Sequence, residues 1–166
     1  RHRTAGDTSI PFPAPMTRGK PVKLPDDYKG KVGMLDFLAT WCVPGIAELP
    51  NVIENYSRFH DKGFEILGIS LDREKFDEKL AAFTKENKMS WPQVYDGKYW
   101  SARVAQLYAV EAIPFMLIVD GDPGEILAAN VRGPGLRIAL QKALATTHPA
   151  RGTTGPATRR RRPRAG

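Results

Sequence analysis

A chain of 166 residues, 42% hydrophobic and 26% charged, has the length and composition of one globular domain with its own core and leaves little room for two. No run approaches the ~18 apolar residues of a membrane span and the first residues lack the apolar stretch of a signal peptide, so the sequence reads as a soluble chain without a span. The net charge of +7 invites a nucleic-acid reading, but six arginines and no acid follow position 150, which leaves 19 basic against 18 acidic residues in the remainder.

The lead-in, residues 1–20, is rich in Pro, Thr and Gly without helical or strand periodicity and predicts an extended segment that wraps the domain. The domain proper is placed at residues 21–145. Val32 to Phe37 is a short branched and aromatic run of the kind that fills a central strand covered on both faces. Ile46, Leu49, Val52, Ile53, Tyr56 and Phe59 recur at spacings of three and four and predict a helix with one buried face. Phe64 to Leu71 reads as a second central strand, and Phe76, Leu80 and Phe83 as a second helix. Ser101 starts a short helix carrying Val104, Leu107 and Tyr108. Gly121-Asp122-Pro123-Gly124 is turn chemistry between Phe115–Val119 and Ile126–Ala129, hence a hairpin. Leu136, Leu140, Ala143 and Leu144 mark the last helix. From residue 146 to 166 Gly, Thr, Pro and Arg replace apolar residues, so that stretch reads as a disordered basic tail. Alternating strands and helices closed by a hairpin predict an α/β fold with a mixed sheet.

The chemistry centres on Cys42, the single cysteine. One cysteine excludes an internal disulfide framework and a zinc site of several thiolates. Cys42 falls between a strand and a helix, in the first turn, where free backbone N–H groups and the positive dipole end favour an anion and hence a thiolate nucleophile. A small buried hydrophobe is the competing reading. Asp36, on a buried strand six residues earlier, is poorly placed for a structural charge; burial raises its proton affinity and suits it to exchange protons with a nearby thiol. Glu48, six residues after Cys42, either approaches the cleft or faces solvent. His2, His60 and His148 form no Cys-His pair or metal cluster, and the Gly30, Gly33, Gly121 and Gly124 spacings form no phosphate cradle, so no metal and no cofactor is implied. The arginines at 159–162 carry no interleaved aromatic residues, which makes a solvated tail the favoured reading over nucleic acid or anionic lipid.

The segment Leu35-Asp36-Phe37-Leu38-Ala39-Thr40-Trp41-Cys42-Val43-Pro44-Gly45-Ile46-Ala47-Glu48-Leu49-Pro50 resembles the active-site segment of thioredoxin-like proteins, particularly TlpA-type thiol-disulfide oxidoreductases. In that family Asp/Asn-Phe-x-Ala-x-Trp leads into Cys-x-Pro-Cys and then Glu-x-Pro; Asp36, Trp41, Cys42, Pro44, Glu48 and Pro50 match. Lys29-Gly30-Lys31 before the first core strand, Trp91-Pro92 before a middle strand, and Ala112-Ile113-Pro114 followed by Phe115 to Asp120 extend the resemblance over roughly residues 20–145. It implies a thioredoxin fold with an N-terminal extension, and a cis-proline at Pro114 facing Cys42. It also implies a cleft near Trp41 and Pro114 for peptides carrying disulfides or thiols, and work outside the cytoplasm, periplasmic or membrane-tethered. The departure is Gly45, where the family has its second cysteine. A lone Cys42 can form a mixed disulfide, but its resolution then needs an external thiol. Two other functions fit the same residues. One is a redox-inactive binding or scaffold module. The other is a peroxiredoxin-like thiol peroxidase, which usually has Thr or Ser three residues before its cysteine, where this chain has Ala39.

Overall fold

A computed structural model describes residues 3–10, 12–14, 22–24, 26–122 and 124–147. Two short strands, β1 (Phe12–Ala14) and β2 (Val22–Leu24), pair antiparallel as a ribbon. The main sheet has five strands: β3 (Val32–Leu38), β4 (Phe64–Ser70), β5 (Gln93–Tyr95), β6 (Phe115–Asp120) and β7 (Ile126–Ala129). Their order is β5-β4-β3-β6-β7, with β3, β4 and β5 mutually parallel and β6 and β7 antiparallel to their neighbours. Four α-helices join them: α1 (Val43–Phe59), α2 (Asp77–Glu86), α3 (Arg103–Leu107) and α4 (Pro134–Thr147). This is the mixed α/β sheet of the thioredoxin fold.

The continuous apolar run of β3 is explained by its place at the centre: all seven of its residues are buried. Successive side chains alternate between two layers. Leu35 and Phe37 join a core with Leu67, Ile69, Val104, Ala105 and Tyr108. Val32, Met34 and Leu38 turn the other way, onto Leu49, Val52, Leu136 and Leu140 of α1 and α4. Asp36 shares their parity, so the strand aims its carboxyl into the layer beneath α1.

Four expectations need correction. The lead-in contains strand β1, paired in register with β2, so a boundary at residue 20 cuts the ribbon; farther back, Gly6 and Ser9 donate backbone hydrogen bonds to Ile126 and Gly124 of the β6–β7 hairpin. The strand after Trp91-Pro92 is an edge strand, three residues long. The short helix starts at Arg103 rather than Ser101, because Asp96 accepts from the Arg103 amide at 2.8 Å while residues 99–101 form a separate 3-10 turn. Helix α4 runs on to Thr147, past the expected start of the basic tail; residues 148–166, with His148 and the arginine run, lie outside the described residues, as does His2. No described helix is long and apolar enough to cross a membrane.

Candidate active site

The turn between β3 and α1 is built by a buried carboxylate that the sequence reading did not single out. Asp72, just past the end of β4, accepts from the Thr40 hydroxyl at 2.6 Å, the Thr40 amide at 3.1 Å and the Ser70 hydroxyl at 2.6 Å. Two of these short bonds fix Thr40 where the chain leaves the sheet, and the third ties Ser70 of β4 to the same carboxyl. Ala39 is buried at that corner, and Cys42 follows as the N-cap of α1, donating its amide to the Ala39 carbonyl at 3.1 Å. Pro44 lies in the first helical turn, where a missing N–H costs no helix bond.

Cys42 is the N-cap yet its side chain caps nothing, and the residue is 4% exposed. Gly45, one turn on, is also buried. A Cβ placed on Gly45 would stand 3.2 Å from Cys42 Sγ, 3.5 Å from Cys42 Cβ and 3.7 Å from Pro114 Cβ. The Cβ separation is at the short end of what disulfides span, about 3.5–4.5 Å. The Ile113–Pro114 peptide bond is cis, and Pro114 closes the far side of this turn; Arg132 holds the Pro114 carbonyl at 3.0 Å.

Asp36 lies below, completely buried, and its carboxyl is pushed up to about 7, first by burial and then by the negative charge of Glu48. Glu48 does not face solvent. It is half-buried and its Oε1 accepts from the Gly133 amide at 2.7 Å and from Asn51 Nδ2 at 2.8 Å, which ties α1 to the segment before α4. Asn51, Gly133 and Arg132 are a second set the sequence reading missed; their only signal was proximity in space. Trp41, 40% exposed, stands beside Tyr99 and Trp100 with ring centroids 5.4 and 5.9 Å away, and Val43 is 75% exposed next to it. Cys42, Gly45 and Pro114 therefore meet at the start of α1, with Trp41 and Pro44 flanking the cysteine in the chain, while Asp36 on β3 and Glu48 on α1 interact with each other. No group of three or more His, Cys, Asp or Glu able to hold a metal exists among the described residues.

Comparison with known proteins agrees with this fold. Residues 5–128 match the model of the AhpC/TSA family. The chain is 30% identical over 126 residues to the thiol-disulfide oxidoreductase ResA of Bacillus thuringiensis subsp. konkukian, covering 76% of this chain and 68% of that one. Among solved structures, the thioredoxin domain of a thiol-disulfide oxidoreductase from Bacteroides vulgatus superposes with a TM-score of 0.74 at 32% identity, over 86% of this chain and 99% of that one. A thiol:disulfide interchange protein from Bacteroides sp. gives 0.71 at 31% identity, over 87% and 92%. With a family match spanning most of its length and these relatives, the chain belongs to the AhpC/TSA family, as a thioredoxin-fold redoxin of the TlpA thiol-disulfide oxidoreductase type.

Proposed function

We propose that this protein exchanges thiols and disulfides through Cys42 alone, with an external thiol completing each turnover. The observation that carries the reading is the space at Gly45, where a side chain would begin 3.2 Å from Cys42 Sγ. On this reading the centre is a two-cysteine one that lacks only its second sulfur. In the proposed cycle the Cys42 thiolate attacks one sulfur of a disulfide; a new S–S bond to Cys42 forms, the old one breaks, and the leaving sulfur departs as a thiolate that takes up a proton. A second thiolate, from a small molecule or another protein, then attacks the mixed disulfide and releases Cys42. That attack moves the substrate's second sulfur into a disulfide with the external thiol; a further external thiolate attacks that bond and frees the sulfur, so two external thiols are oxidised to one disulfide for each substrate disulfide reduced. Asp36, poised near neutrality beneath the helix, is suited to take or return the proton. The rim of Trp41, Val43 and Pro114 is suited to hold an extended peptide. Work outside the cytoplasm, periplasmic or tethered to a membrane, is part of the same proposal.

One observation favours a redox-inactive binding module: Cys42 is buried. A peroxidase is disfavoured by local bonding. Ala39 has no hydroxyl, and the Thr40 hydroxyl one position along is committed to Asp72. The deciding measurement is the rate of Cys42 alkylation by a small reagent across pH, in the folded protein and in denaturant, with mass spectrometry of the adduct formed with a small disulfide. Fast alkylation in the fold, and an adduct removed by added thiol, support exchange. Alkylation only after unfolding would leave the binding module.

A further inference from the structure

Of the buried side-chain polar atoms that lack a hydrogen-bond partner among the described residues, three belong to one row of the sheet: Asp36 Oδ1, Gln93 Nε2 and Gln93 Oε1. The register puts Asp36 opposite Gly68 and Gly68 opposite Gln93, across three parallel strands. Side chains so paired point to the same face. Gly68 has none, and the Gln93 carboxamide fills the room a Cβ there would take, overlapping it at Oε1 and Nε2. The carboxamide thus lies over the middle strand, next to β3, on the face that carries Asp36. Asp36 is 1% exposed and Gln93 3%, so no bulk water serves either group. A fully sealed amide with neither end satisfied is rare in folded proteins and points to a partner that changes state.

We propose that Gln93 is a positioning residue for Asp36: carried over Gly68, its carboxamide turns to donate Nε2–H to the Asp36 carboxylate when that carboxyl ionises. A buried carboxylate with no donor is strongly disfavoured, whereas a neutral acid needs less support. The amide makes ionisation reachable in a place that otherwise forbids it. Other charges near Asp36 are few. Glu48 on α1 acts on it as a like charge, and Cys42 caps the same helix. Across the register β4 and β6 place Gly68 and Met116 beside it, and α4 supplies Leu136, Leu140 and Ala143 to that layer. None of these last five can donate to the carboxylate through a side chain. The use made of the Asp36 proton at Cys42 rests on the thiol chemistry proposed above; the tie between Gln93 and Asp36 does not.

The test is therefore a titration of the Asp36 carboxyl carbon by NMR, which needs no turnover. Gln93→Met keeps the length and volume of the side chain and removes both polar ends. Gly68→Ala keeps Gln93 but drives its carboxamide off the row. Each is expected to raise the Asp36 midpoint by about one unit, a tenfold fall in its ionisation constant. An unchanged midpoint in Gln93→Met would overturn the proposal and leave the amide as filler, even if stability changed. Should Gly68→Ala not fold, Gln93→Leu supplies the second reading, with the same expected direction and the same refuting outcome. A shifted midpoint with a Cys42 that stays unreactive would uphold the tie while sinking the exchange reaction.

Discussion

Gly45 and Gly68 are two glycines at the same site that do opposite things. At Gly45, beside the sulfur, a Cβ would meet only side-chain atoms, the nearest being Cys42 Sγ at a tight 3.2 Å, and on the proposed reading the missing side chain is a missing reagent. At Gly68, beneath the acid, the missing side chain is room made for another residue, and Gln93 already fills it. One glycine subtracts chemistry and the other accommodates it. A glycine in an active site is therefore interpretable only from what its absent Cβ would meet.

Substituting both positions sharpens the contrast. Gly45→Cys has the largest expected effect: reduction of a protein disulfide such as insulin, with a thiol reductant supplied, should rise about a hundredfold over the parent, because the second attack becomes intramolecular. No gain would mean that Cys42 is not a nucleophile in this fold. Asp36→Asn comes next. Below about pH 4 the carboxyl is protonated folded or unfolded, and the aspartate carries no penalty. Between there and the folded value of about 7 the folded state holds an extra proton, so stability falls as pH rises, and the full penalty is present above that value. Asp36→Asn should then raise unfolding free energy at pH 8 by about 2–4 kcal/mol and change it little at pH 4, measured by denaturant melts. Equal effects at both pH values would remove the buried charge from the account. Gly68→Ala should cost about 1–3 kcal/mol through overpacking against Gln93, whereas Gly45→Ala, in a helix and needing only a small shift of the Cys42 thiol, should be within about 1 kcal/mol of the parent. Similar costs at the two sites would break the comparison. The smallest effect is at Glu48→Gln, which removes the like charge but keeps an oxygen for the Gly133 amide; the Asp36 midpoint should move down modestly, since burial and not Glu48 is its larger cause.

The legible parts of this molecule are those whose signal is local. The β3 run, the spacing of Leu49, Val52 and Phe59, and the strand–Cys–helix junction all follow from residues adjacent in sequence, and they place the sulfur correctly. What was not legible depends on register and long-range bonding. Asp72 is an unremarkable acid until β4 ends beside the Thr40 turn. The real start of α3 was hidden because its capping oxygen comes from Asp96, seven residues upstream of the amide it meets. Glu48 could have faced either way from spacing alone; the Gly133 amide decides it. Gln93 gives no sign of its place, because nothing in the sequence tells that Gly68 separates it from Asp36.

The backbone bonds from Gly6 and Ser9 to Ile126 and Gly124 also bear on how copies of this protein meet one another. A bare sheet margin is a template onto which a foreign strand can add, and through which chains stack into aggregates. Here the start of the chain bridges at Thr8 to Glu125, ahead of β7, and the opposite margin, β5, is three residues long with Pro92 ahead of it. Both flanks are poor places for strand addition. If the proposed exchange holds, the exposed Trp41 and Val43 beside Cys42 make crowding in solution and access to the sulfur draw on the same patch of surface.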